Sequence, residues 1–267
     1  MNEATKTTYA DAHQQFTSRS ATAQRLMTRW RADEHHQSVV PFVEGHVTSV
    51  LYGLSNEDVR ATCESTDHAL GDVKKSVADA VLSIRDWHPA FAFIHVFHYA
   101  LESSGALPTY QGFRQMCESD AFLRSALLKP SQDAVKEAIE AGVPRAVARD
   151  AMRWRVGNAY YSFLREVYTI VALRTAGLDV RYHVLPDALY AVDCWHGETA
   201  ISLFIGNAKF KGAASGRKGR AEDVLSDATP PLRFLDVRLP VAHVFGEVHL
   251  PPKDEVEKLV ALLSATS

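Results

Sequence analysis

The sequence predicts an α+β fold, with a helical first half and a strand-rich second half. Three observations carry this. Apolar residues recur at helical spacing from Ala21 to about residue 150, and Pro89, Pro108, Pro130 and Pro144 punctuate that stretch at helix-length intervals. A long apolar run, "YYSFLREVYTIVALRTAG" (160–177), stops at Gly177, the residue type that most easily closes a helix. Beyond it, short β-rich runs alternate with turn residues.

Each element follows from its local pattern. Residues 1–20 are polar and read as a frayed N-terminal segment. Residues 21–152 read as a helical domain. Leu26, Met27 and Trp30 share one face of a helix over 21–31, and Val40, Val43, Val47 and Leu51 share one over 39–52. "LSNEDVRATCESTDHAL" opens on Ser55 with Asp58 three residues on, close to a capping box. "DVKKSVADAVLSIRDWH" aligns Val73, Val77, Val81 and Ile84. Residues 153–267 read as an α/β domain: the long helix, strands at "VRYHVL", "LYAVDCW" and "TAISLFIG", a helix after "GRKGR", strands at "RFLDVRLPV" and "HVFGEVHLP", and a closing helix "KDEVEKLVALLS". The tight "HGE" turn (196–198) joins the second and third strands.

Composition narrows the function classes. The chain has 267 residues, enough for one large domain or two modest ones. A formal net charge of −3 excludes a protein coated in basic charge, so any nucleic-acid contact must come from a local patch. Cys63, Cys117 and Cys194 are odd in number and far apart, without zinc spacing, which predicts reduced thiols. The polar N-terminus lacks the apolar centre of a signal peptide, and no apolar run reaches membrane-spanning length. These features predict a soluble, cytoplasmic protein without membrane contact.

Several stretches carry chemistry. "NAKFKGAASGRKGRAED" holds Lys209, Lys211, Arg217, Lys218 and Arg220 with no acid before Glu222. Glycines permit close approach, and a helix N-terminus follows, so the segment reads as a phosphate-contacting loop. It is not a P-loop, whose spacing is absent. "RDAMRWRVGNAYYSF" interleaves arginines with aromatics, a pattern that suits either base stacking or domain packing, and packing is favoured. In "HPAFAFIHVFHYA", His88, His95 and His98 lack metalloprotease spacing and read as buried or boundary histidines with satisfied hydrogen bonds. Cys194 adjoins Asp193, whose charge opposes thiolate formation.

The element order α-β-β-β-α-β over about residues 157–240, with Asp193 on the second strand, resembles the core of the PD-(D/E)XK nuclease superfamily. That family includes restriction enzymes, Holliday-junction resolvases and transposon end-cutting endonucleases. The resemblance implies a restriction-endonuclease-like core with an appended strand and helix, behind an N-terminal helical domain. It implies a metal-dependent nuclease, or a nuclease-derived subunit, acting on DNA in a defence, restriction or transposition system. Asp193 would be the principal Mg²⁺ ligand (Mn²⁺ could substitute) and Glu166 would assist. Asn207 would offer a neutral oxygen, Lys209 would hold the water or phosphate, and Lys211, Arg217, Lys218 and Arg220 would contact the nucleic-acid backbone. A divalent ion suits this chemistry because it stabilises charge on the phosphate and acidifies the attacking water. A protein partner or second copy is also implied.

The third strand departs from the family pattern, because "AISLFIG" contains neither the acid nor the lysine. Asn207-Ala208-Lys209 is the nearest substitute, and Glu198 in the turn is a second acid. Asp193 has an alternative role as a strand-end acid bonded to backbone or to an arginine. Glu166 has one as the partner of Arg165 or Arg174. The departure keeps open a second function: a non-catalytic nucleic-acid-binding or protein-interaction subunit with a degenerate nuclease fold. The literal "PD" at Pro186-Asp187 falls before the strand and reads as a coincidence.

Overall fold

A computed structural model describes residues 5–205, 220–239, 243–245 and 248–265. The sequence positions Asn207, Lys209, Lys211, Arg217 and Lys218 lie outside the described residues. The fold is α+β, with helices through the first half and a small sheet in the second. Among the described residues no helix is long and apolar enough to cross a membrane.

Contacts group the chain into two compact units, Met1–Asn56 with Glu166–His243 and Leu250–Ser267, and Glu57–Arg165 with Val244–His249. This grouping differs from the sequence division at 152/153. That position lies inside one continuous helix, Arg145–Thr175, because no proline or glycine cap interrupts its helical pattern. The N-terminal residues join the unit that holds the sheet.

In that first unit, residues 5–20 of the segment read as frayed are ordered. Strand β1 (Thr7–Thr8) pairs antiparallel with β2 (Val47–Thr48). Thr8 and Asp11 then form a reciprocal capping box that starts the helix Tyr9–Gln15. Ala12 and Phe16 are fully buried, and Phe16 meets Trp195 edge-to-face at 5.3 Å. Two well-placed apolar residues therefore anchor an otherwise polar stretch. Ser20 caps the helix Ala21–Ala32 and also donates to Asp227, which accepts from Thr22 N at 3.0 Å. The helix expected over 39–52 is broken instead. It forms Val40–Gly45, then β2, then Val50–Gly53, because His46 turns extended after Gly45.

The sheet of this unit has four strands in the order β3 (Val180–Arg181), β4 (Cys194–His196), β5 (Thr199–Ile205) and β6 (Arg233–Leu239). The first two pairings are antiparallel and the last is parallel. A parallel neighbour needs a crossover, and the helix Ala221–Leu225 lies between β5 and β6 in the chain. Val180, Tyr182, Val184, Leu185, Val192, Cys194 and Ile201 are fully buried with Val167, Ile170 and Leu173 of the long helix.

Two strand expectations need correction. "VRYHVL" is a strand only at its first two residues, and "LYAVDCW" only from Cys194. Between them runs a helix, Val184–Tyr190. His183 caps it by accepting the N–H of Leu185 on Nδ1 at 3.0 Å. Pro186 sits in the first turn, where its missing N–H costs nothing. The apolar run that reads as β is a helix buried on most sides. "HVFGEVHLP" likewise splits into His243–Phe245 and Val248–Leu250, a separate two-stranded sheet.

The second unit packs on aromatics. Phe97 and Phe113 lie 4.5 Å apart between ring centroids, and Phe97 also meets Tyr160 and Phe163. Tyr160 donates to Pro108 O at 2.9 Å. The stretch read as one helix over "DVKKSVADAVLSIRDWH" forms two short ones, Lys75–Asp79 and Leu82–Arg85. Two arginines of the arginine-aromatic stretch bond to backbone carbonyls within this unit. Arg153 caps the carbonyls of His68 and Ala69, and Arg155 donates to Trp87 O at 2.8 Å. His95 and His98 are buried in the helix Phe93–Ser104.

Candidate functional site

Asp193 stands where β4 begins to part from β5. Its own N–H donates to Ile201 O at 2.9 Å, the last regular rung of the pair. Immediately before it, Ala191 closes the helix Val184–Tyr190 in the left-handed conformation (φ 59°, ψ 30°), so the chain arrives at an angle and cannot continue the ladder. Side chains take over. The Asp193 carboxylate accepts the N–H of Leu203 at 2.7 Å, and Ser202 Oγ donates to Ala191 O at 2.8 Å. Asp193 is only 6% exposed. One of its oxygens therefore does the work of a backbone carbonyl, which is the strand-end role weighed against the metal role.

Register decides what lies opposite this acid. Cys194 pairs with Ile201, so the β5 residues beside Asp193 are Ser202 and Leu203, neither of which is acidic. Asn207, five positions past Ser202, lies outside the described residues. Ser202 pairs in turn with Asp236 of β6. That places an acid two strand spacings from Asp193, roughly 10 Å between backbones. Asp236 was missed by the sequence reading because its β5 neighbour depends on a crossover register that local pattern does not encode.

Glu166 is buried, at 9% exposed, so it does not sit on a solvent face of the long helix. Asn158 and Ser162 lie two turns and one turn before Glu166 on the same helix, and their side chains bond back onto its backbone. Asn158 donates to Trp154 O at 2.9 Å and Ser162 to Asn158 O at 3.1 Å, both within the helix. Arg174 donates to Val180 O at 2.7 Å and lies 4.0 Å over the Tyr52 ring. Among the described residues, no three His, Cys, Asp or Glu side chains are grouped around a common point.

Arg220, the described cation of the basic segment, is 65% exposed and stands 3.8 Å from Glu222 and 3.7 Å from Asp236. Such exposed pairs are weak, on the order of 0–1 kcal/mol, and a phosphate can compete for the guanidinium.

No family model, curated protein or solved structure matches this chain.

A second feature went unread in the sequence. A cleft of about 460 Å³ is lined by Asp11, Gln15, Arg19, Arg181, Trp195 and Glu198, among others. Arg19 pairs with Glu198 at 2.5 Å and also donates to Pro230 O. Arg181 pairs with Asp179 at 2.8 Å. Burial works to raise the Asp11 carboxyl, but bonds from the Thr8 hydroxyl and N–H, together with the nearby charges of Arg181 and His183, hold it below its ordinary value. The cleft thus offers both signs of charge in balance. It could not be found from sequence, because its walls come from segments nearly the length of the chain apart.

Proposed function

We propose that the chain is a nuclease-derived subunit that engages DNA through the face of its four-stranded sheet and the basic segment after β5. The observation that carries this reading is the strand arrangement. A long helix precedes three antiparallel strands, and a helical crossover leads to a fourth, parallel strand. This resembles the α-β-β-β-α-β order of the PD-(D/E)XK core, with one helix, Val184–Tyr190, inserted between the first two strands and an acid, Asp193, just before the second. Five cations between Lys209 and Arg220 follow in sequence directly after β5. In this reading Lys211, Arg217, Lys218 and Arg220 meet phosphate, which binds without regard to base sequence and weakens with salt. Ser202 and Leu203 opposite Asp193, together with the bond from Leu203 N–H, favour binding over cutting.

The second reading is an active Mg²⁺-dependent deoxyribonuclease. It is favoured by two buried acids, Asp193 and Glu166, in the same compact unit. Asn207 and Lys209 would have to complete its site. In that case the ion would supply charge neutralisation at the phosphate and an acidified water, and Lys209 would hold the water or the developing charge.

Incubation with plasmid, linear and single-stranded DNA in Mg²⁺, Mn²⁺ or EDTA separates the two. Cutting that needs metal and disappears in Asp193→Ala and Lys209→Ala establishes the second reading. DNA retarded on a gel but uncut in every lane supports the first. Neither cutting nor retardation at low salt overturns both.

A further inference from the structure

β6 is the last strand of its sheet and spans seven residues. Its parallel register runs from Thr199↔Arg233 to Ile205↔Leu239. The N–H of Arg233 donates to Glu198 O at 2.9 Å. In a parallel pair, alternate residues bond to the same neighbour. Arg233, Leu235, Val237 and Leu239 therefore turn their backbone groups toward β5. Phe234, Asp236 and Arg238 turn theirs outward, and among the described residues no strand meets that edge. Asp236 and Arg238 are exposed, while Phe234, Leu235 and Val237 are only half-buried. A strand of this length with an open edge and part-exposed apolar side chains is a template for another strand.

We propose that β6 pairs antiparallel with β6 of a second copy of this chain, about a two-fold axis through Val237. The charges select this register. An axis through Asp236 or through Arg238 sets a charge opposite its own twin, which is destabilising. An axis through Leu235 leaves Asp236 facing Phe234, and one through Phe234 leaves it facing Leu232. The axis through Val237 sets each Asp236 opposite the second copy's Arg238, twice by symmetry. It also sets Leu235 opposite Leu239 and Val237 opposite itself, all apolar cross-strand pairs. Asp236 and Arg238 are both outward residues, so each such pair can exchange two backbone hydrogen bonds. Arg220, 3.7 Å from Asp236 and itself 65% exposed, adds positive charge beside the acid without covering it. The proposal is independent of whether DNA is bound.

Sedimentation velocity of the full chain over a concentration series tests it. The wild type is expected to dimerise. Asp236→Arg and Arg238→Asp each place like charges opposite one another and should weaken the dimer about tenfold or more. The double exchange Asp236→Arg/Arg238→Asp restores opposite pairs and should restore the dimer, with circular dichroism melts checking that each variant is folded. A wild type that stays monomeric at every concentration overturns the proposal. So does a double variant no tighter than the single ones, or single variants that dimerise like wild type.

Discussion

The Asp193 carboxylate accepts the backbone N–H of Leu203 at 2.7 Å, one step beyond the last regular rung between β4 and β5. The acid that the family pattern assigns to metal thus also holds the sheet together. Asp193→Ala would leave that part-buried N–H without its acceptor, at a cost of roughly 1–3 kcal/mol. Asp193→Asn keeps an oxygen in place and should lose less. Urea denaturation of both variants measures this. Equal losses, or none, would mean the bond contributes little.

Ala191 holds φ at 59°, a conformation that costs a residue with a side chain roughly 1–2 kcal/mol. Glycine there relieves the strain but loosens the unfolded chain by about 0.5–1 kcal/mol. Ala191→Gly should therefore stabilise by up to about 1 kcal/mol, seen as a Tm rise of a few degrees. A fall in Tm would show that the turn depends on the methyl group.

Gly157 lies where the long helix meets the loop at Ala69. A Cβ built on it would come within 2.8 Å of Ala69 O and 2.9 Å of the Ala69 carbonyl carbon. Backbone cannot step aside as a side-chain tip can. Gly157→Ala should destabilise by about 1–3 kcal/mol despite the better helix propensity of alanine. A stabilised variant in thermal melts would contradict this close approach.

All three thiols are buried. Burial pushes Cys63 and Cys117 up to about 12, with Glu64 and Asp120 adding to the shift. At pH 8 almost no thiolate is present at either site. Ellman's reagent should find no rapidly reacting thiol in the native chain and three after guanidinium denaturation. One fast native thiol would show that a cysteine is accessible or activated.

The legible parts of this fold are those set by local pattern. Ala21–Ala32, Arg233–Leu239 and Lys253–Ser264 follow from apolar spacing and nearby turn residues. The short helix between the third and fourth strands, Ala221–Leu225, was also readable after the basic segment, whereas the parallel pairing of β5 and β6 was not, because it depends on long-range register. Val184–Tyr190 was not readable either, because Val184, Leu185 and Tyr190 suit either a strand or a buried helix and the His183 cap is visible only in three dimensions. Residues 5–20 hid their order behind polar composition, because Phe16 is held by Trp195 and Thr17 by Tyr190 at 2.6 Å, partners far along the chain. At the candidate site, Asp193 and its backbone-bonding alternative were both readable. Ser202 as the residue facing it, Asp236 beyond, and the Arg19–Glu198 cleft were not, because each depends on register or on long-range contact.

The proposed grip of this chain on DNA is through phosphates. Fluorescence anisotropy with a labelled duplex, titrated across a salt series, tests it most directly. The expected result is binding at low salt that weakens log-linearly as salt rises, with a shallower slope when Lys218 and Arg220 are changed to Ala, because fewer counterions are released. No binding at the lowest salt, or a slope unchanged by the double variant, would contradict it.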